Sequence, residues 1–174
     1  VYVMADSTVP AIAMAAWKDG STVNSVAGAD ASDAPSNAVT YAAKQVVWPT
    51  GRVRVMTFDK KTGGVLHPIT DETLLYVLSG TAEVGVGSET VKIVAGDVVS
   101  FPSGALRNSG KASGAKIVTW NVPSLTGEAT PTHVKGADVK EGGGGAITLK
   151  RYSFPGNSVR AVKLAAGGST NPNS

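Results

Sequence analysis

An all-β fold, a barrel or sandwich of short strands, follows from three observations on this 174-residue chain. Val, Thr and Gly are plentiful, with 21 glycines. Helix formers never assemble into long runs of 3.6-residue period. Turn signals recur at about eight to twelve residues, the spacing of small all-β architectures. A hydrophobic content of 42% is enough for a real core, and the length suits one domain, or one domain and part of another.

Taken in order, residues 1–40 are small and polar, apart from the apolar patch Val9 to Trp17, and read as an N-terminal arm packed on the barrel. Gln45 to Trp48 reads as a strand stopped by Pro49-Thr50-Gly51. Arg52 to Phe58 is a second strand with period-2 alternation, Val53, Val55 and Thr57 on one face and Arg52, Arg54, Met56 and Phe58 on the other. Thr73 to Leu78 and Thr81 to Val86 are expected as a hairpin about Ser79-Gly80, with the glycine supplying positive φ. Glu89 to Val94 follows, then the turn Ala95-Gly96-Asp97, the strand Val98 to Phe101, the turn Pro102-Ser103-Gly104, and Lys116 to Val122. Such a succession suits a jelly-roll spanning 41–123. Leu74 to Leu78 is apolar on both faces, so its outer face must be covered, by the N-terminal arm or by a second subunit.

Ser124 to Gly145 has the composition of a linker, ending in Gly142 to Gly145. Beyond it lies an internal repeat. Lys44-Gln-Val-Val-Trp48-Pro49 and Val53-Arg54 align with Lys150-Arg-Tyr-Ser-Phe154-Pro155 and Val159-Arg160. Duplicated supersecondary units produce such matches. Residues 146–174 therefore read as the start of a second barrel unit or, alternatively, as strands that complete the first barrel.

Composition also excludes. With no cysteine there is neither a disulfide framework nor a thiolate metal site. The net charge of +3 comes from scattered lysines and arginines without interleaved aromatics, which argues against a nucleic-acid partner. No apolar run approaches the ~20 residues of a membrane-spanning helix. The chain begins at Val1, which a cleaved signal peptide or a trimmed tag would explain; a periplasmic or secreted location is favoured slightly over a cytoplasmic one.

Two stretches carry a family resemblance. Gly64-Val-Leu-His67-Pro-Ile69 through Glu72-Thr73-Leu-Leu-Tyr-Val-Leu-Ser-Gly80 resembles the first motif of the cupin superfamily, and Gly96-Asp97 through Pro102-Ser-Gly104-Ala-Leu-Arg107 resembles the second. The resemblance implies a double-stranded β-helix, a jelly-roll barrel, and in its metal-binding members a set of two histidines, a glutamate and a third histidine. By position these fall on His67, Ile69, Thr73 and Arg107. Isoleucine has no donor atom, threonine is a poor neutral ligand, and arginine stays protonated. Glu72 is one residue off the glutamate position, which in a strand turns it to the other face. No metal and no cofactor is therefore expected.

A guanidinium where the resemblance places a metal can instead hold a carboxylate, phosphate or enolate oxygen. With His67 as proton-transfer base and Arg107 holding the developing anion, these two are the candidate catalytic residues of a metal-independent lyase or isomerase. Its substrate would be a small anionic or carbohydrate-derived molecule. Arg54, Glu72, Thr73, Phe101 and Trp120 are the candidate binding residues, although aromatic side chains placed like Phe101 and Trp120 more often serve the core. Tyr76 points away from the cavity by parity, and His133 receives no role. Two alternatives stand beside this one: a non-catalytic small-molecule-binding or structural cupin, or a metal-dependent oxygenase or decarboxylase with unusual ligands. The expected partners are a small-molecule ligand and a homo-oligomeric or paired-barrel neighbour.

Overall fold

The computed structural model describes residues 32–33, 41–48, 51–60, 64–66, 73–86, 88–102, 110–121, 130–154 and 158–165. These form β1 (Ser32–Asp33), β2 (Tyr41–Trp48), β3 (Gly51–Phe58), β4 (Gly64–Leu66), β5 (Thr73–Val86), β6 (Glu89–Val94), β7 (Val98–Phe101), β8 (Gly110–Asn121), β9 (Thr132–Val134), β10 (Glu141–Gly144), β11 (Ile147–Ser153) and β12 (Ser158–Leu164). A nine-stranded sheet runs β1-β2-β3-β8-β5-β7-β9, with β4 on β8 and β6 on β5; β10, β11 and β12 form a separate three-stranded sheet. Every pairing is antiparallel. The all-β jelly-roll is what the turn spacing and strand composition predict. Among the described residues no helix is long and apolar enough to cross a membrane.

β5 departs from expectation. Residues 73–86 form one strand, not a hairpin about Ser79-Gly80, and the reversal comes after Val86, where β6 returns along β5. Gly80 has φ 75 and sits at register shifts between β5 and β8. A Cβ there would lie 2.2 Å from the Gly114 carbonyl oxygen. Glycine at this point thus serves a bulge that bends a continuous strand, the other common use of positive φ. β8 bends opposite it through Gly114, also at positive φ. Each strand therefore contributes one half to either side of the barrel.

Alternation divides the apolar residues into two cores. Met56, Phe58, Leu75, Val77, Val84, Ile93, Val99, Phe101 and Ile117 fill the barrel interior. The intervening positions Val53, Val55, Leu74, Val98, Val118 and Trp120 lie on the opposite face, against Tyr152 and Phe154, with Val159 and Ala161 partly buried beside them. The cover for the doubly apolar β5 is therefore the chain's own C-terminal sheet, where the sequence had suggested the arm or a second subunit. Of the proposed arm, only Ser32 and Asp33 lie within the described residues, paired with Gln45 and Lys44.

Within the stretch read as a linker, residues 130–145 carry β9, which extends the barrel sheet by pairing with β7, and β10. The glycines here are structural: Gly143 and Gly145 adopt positive φ where β10 turns into β11. The internal repeat falls on two hairpins of identical register. Val46 pairs with Val53 and Gln45 with Arg54; one repeat later Tyr152 pairs with Val159 and Arg151 with Arg160. Their matching faces meet in the outer core.

A buried carboxylate anchors β9 and the turn that follows it, and two side chains of β11 dock on the same place. Asp97, 3% exposed, accepts from the Val94 amide (3.1 Å) and the Gly136 amide (2.8 Å) and contacts His133 Nε2 at 3.0 Å. Because a carboxylate only accepts, that ring nitrogen carries the proton. Gly136 packs so closely on the Gly96 turn that a Cβ would stand 2.3 Å from its carbonyl oxygen. Tyr152 donates to that same Gly96 oxygen at 2.5 Å, and Lys150 Nζ donates to the Gly136 oxygen at 2.7 Å. His133, given no role from sequence, thus has a defined one in anchoring β9.

Asp97→Ala should leave the Gly136 and Val94 amides unpaired and lower unfolding free energy by about 3 kcal/mol in chemical denaturation. Burial raises the Tyr152 and Tyr76 phenols above the ordinary 10.0, and for Tyr152 the neighbouring Tyr76 adds to it. The folded chain then keeps protons that the unfolded chain releases, so stability present below pH 10.0 should fall as pH rises beyond it. Tyr152→Phe should flatten that alkaline slope in denaturation curves taken across the range.

Candidate functional site

Small β-barrels hold ligands at their mouths, so the informative residues are those that share the interior face and sit at strand ends. Arg54 precedes Met56 and Phe58 on the inward face of β3; Thr73 precedes Leu75 and Val77 on β5; Thr119 and Asn121 follow Ile117 on β8. Strand register draws these polar groups together. Arg54 is opposite Thr119, Thr119 is opposite Leu75, and Thr73 lies between Asn121 and Phe101. The result is a barrel that is apolar through its middle and polar at this end.

Two hydrogen bonds organise the polar end. Arg54 Nε donates to Gln45 Oε1 at 3.1 Å. Asn121 Nδ2 donates to the hydroxyl of Thr73 in a short contact. The hydroxyl of Thr73 thus serves a neighbouring amide at the place where the family resemblance puts a glutamate ligand. Arg54 is half-buried, and Thr73 and Thr119 are buried. A guanidinium brings a permanent positive charge and a planar fork of donors to this face. Neutral hydroxyl and amide groups beside it offer both donors and acceptors, a combination suited to carboxylate and hydroxyl groups.

The binding residues inferred from sequence divide cleanly. Arg54, Thr73 and Phe101 share the interior face, with Phe101 fully buried in its core. Trp120 is not with them. It lies one residue off that parity, in the outer core between barrel and C-terminal sheet, and among the described residues its buried Nε1 has no hydrogen-bond partner. Tyr76 also faces outward, as parity predicts, and meets Tyr152 edge to face at 6.1 Å. His67, Ile69, Glu72 and Arg107 lie outside the described residues. Leu66, which precedes His67 in sequence, pairs with Gly110, three residues after Arg107.

Gln45, Thr119 and Asn121 escaped the sequence reading. The first had a usable signal: a Pro49-Thr50-Gly51 turn closing a hairpin sets residue 45 opposite residue 54. The other two could be placed only once the β5–β8 register was known.

A jelly-roll with one polar end and a buried apolar middle defines the class: an antiparallel β-barrel of short strands. Residues 54–120 match the Cupin domain family, so this segment of the chain is a cupin domain. No curated protein sequence matches the chain. Among solved structures, the Ylba protein from E. coli, assigned to DUF861, is similar at 15% identity with a TM-score of 0.53, over 68% of this chain and 51% of that one. This chain therefore spans about half of that protein's length, and the likeness is one of fold. Oxalate decarboxylase from Bacillus subtilis aligns at 21% identity over 59% of this chain and 30% of its own, with a TM-score of 0.44. A conserved protein of unknown function from Streptococcus pyogenes aligns at 19% identity over 48% and 74%, with a TM-score of 0.39.

The family's metal can be tested against the donors in place. Divalent ions of the transition series take imidazole and carboxylate ligands. The described interior end presents a guanidinium, two amides and hydroxyls, and among the described residues no group of three or more His, Cys, Asp or Glu side chains is arranged to hold an ion. His67, Ile69, Glu72 and Arg107 lie outside these residues, so of the family's ligand places only Thr73 enters this comparison.

Thr73→Val should remove the acceptor of the Asn121 amide while keeping side-chain shape. A loss of about 1–2 kcal/mol in thermal or chemical unfolding is the expected result.

Proposed function

We propose that this cupin barrel binds a small anionic or carbohydrate-derived molecule at its polar end, through charge and hydrogen bonding and without a metal ion. The carrying observation is the placement of Arg54, steadied by Gln45, on the same interior face as the Thr73–Asn121 pair. Pre-orienting a guanidinium before a ligand arrives reduces the ordering cost of binding. Bidentate contact with a carboxylate or phosphate adds direction to the charge.

A second reading makes the chain a metal-independent lyase or isomerase acting on the same ligand class. Here His67 moves the proton and Arg107 stabilises the anion that forms. The pairing of Leu66 with Gly110 supports it, because one strand pair adjoins both sequence segments. The described interior residues near Arg54 include no acid or base of near-neutral pKa, so catalysis in this reading rests on those two residues.

Ligand binding followed by calorimetry, against a panel of small carboxylates, phosphosugars and uncharged sugars, separates the two. Arg54→Ala should weaken anion binding by roughly tenfold or more, a charge-assisted contact's worth, while Arg54→Lys should retain part of it. Turnover of a bound ligand that disappears in His67→Ala and Arg107→Ala would establish the enzymatic reading. Undiminished affinity in Arg54→Ala would defeat the proposal.

A further inference from the structure

The polar end of the barrel has a back as well as a front. Strand register sets Trp120 opposite both Val53 of β3 and Leu74 of β5. These three side chains form one row across three strands, on the face turned away from the barrel interior. The row on one side of it, facing inward, is Arg54, Thr119 and Leu75; the row on the other side includes Asn121 and Thr73. Each outward residue is therefore bonded directly to an inward one. Val53 precedes Arg54, Leu74 follows Thr73, and Trp120 lies between Thr119 and Asn121.

The outward row rests on the C-terminal sheet. Val53 is 0% exposed, Leu74 1% and Trp120 7%, and Tyr152 and Phe154 belong to the same packed cluster. That sheet is oriented by Tyr152 on the Gly96 carbonyl and Lys150 on the Gly136 carbonyl. Close-packed interiors transmit small displacements and do not absorb them. The middle residue of the row adds a second observation. Its buried Nε1 finds no partner among the described residues, and an N–H taken from water without a partner costs stability. Leucine or phenylalanine in this row would avoid that cost. What the indole supplies is a large rigid plate, standing behind the β8 residues that lie opposite Arg54 and bond to Thr73.

We propose that Trp120 is a positioning residue for the polar end, and that docking of the C-terminal sheet and occupancy by an anion are coupled through it. The inference rests on the binding reading above and adds a control to it. Whatever loosens β11 from the barrel weakens the ligand, and the ligand tightens β11 in return, because coupling between two sites is reciprocal. The device is a row of packed side chains backing the rows that bind, in which Val53 and Leu74 pass the position of the indole to Arg54 and Thr73.

Gluconate and inorganic phosphate, a sugar acid and a simple anion, are the probes. In calorimetry Trp120→Leu should weaken their binding by roughly fivefold or more, the low end of ordinary coupling between sites. Trp120→Phe, which keeps an aromatic ring, should retain most of the affinity. Tyr152→Phe alters only the hold of the sheet on Gly96 and should weaken binding with every interior residue intact. Circular dichroism confirms that each variant is folded at the temperature used; if Trp120→Leu is not, Trp120→Phe and Tyr152→Phe decide. In the wild-type chain the indole N–H resonance of Trp120, identified by its loss in Trp120→Phe, should shift as anion is added. A purely structural role leaves both affinity and resonance where they are. Equal binding by the wild type and the folded variants, with a stationary resonance, would overturn the coupling and leave the binding reading standing. No anion binding by the wild-type chain would overturn the binding reading and the coupling with it. Weakening in Trp120→Leu with unchanged affinity in Tyr152→Phe would overturn the part assigned to the C-terminal sheet.

Discussion

A strand that is apolar on both faces has to be buried on both, and β5 imposes that demand on the whole molecule. Thr73, Leu75 and Val77 look into the barrel, while Leu74, Tyr76 and Leu78 look out. A single closed barrel would leave the second set in water, at a cost of about 25 cal/mol for every Å² of apolar surface. The C-terminal sheet answers the demand by laying Tyr152, Phe154, Val159 and Ala161 over it. Its position is then fixed by polar contacts. Tyr152 and Lys150, bonded to the Gly96 and Gly136 carbonyls, convert a non-directional apolar contact into one orientation of sheet on barrel.

The same alternation organises the site. One face of β3 serves the outer core with Val53 and Val55, leaving the other for Arg54, Met56 and Phe58. At the strand's middle the inward face meets apolar neighbours; toward its start it meets Thr119, and one step further along β8 stands Asn121. The polar end of the barrel is thus a by-product of where β3, β5 and β8 stop, and a few residues at those ends give it its charge and hydrogen-bonding groups. Sites of this kind change chemistry without touching the core, which is consistent with a family scaffold kept while its ligand positions carry other residues.

Much of the architecture was legible from residue pattern alone. The alternation of 52–58, the outward parity of Tyr76 and the repeat at 44–54 and 150–160 all correspond to observed strands and pairings. What the pattern hid were choices that depend on distant partners. Gly80 signals positive φ in a hairpin turn and in a bulge alike, and only the close approach of Gly114 decides between them. Residues 130–145 look like a linker because small and polar residues suit loops, yet Gly136 is required by contact with Gly96 and β9 by pairing with β7. Trp120 shows the sharpest limit. A one-residue difference in parity separates a pocket wall from an inter-sheet core, and composition cannot supply that residue. For the candidate site, Thr73 was visible as a cupin position and Arg54 through strand alternation, whereas Gln45, Thr119 and Asn121 emerged from register.

The back-to-back packing of the two hairpins has a consequence for how the chain reaches its native state. Each hairpin is local, and local hairpins close within about microseconds. Their shared core is not: Val53 must find Tyr152 and Val159 across most of the chain, and such long-range contacts slow folding. The C-terminal sheet therefore arrives late, and until it docks, Leu74, Val98 and Trp120 form an uncovered greasy surface on a nearly finished barrel. Any chain in which that sheet has not docked exposes this apolar face, so the same contact that completes the fold also shields it from association.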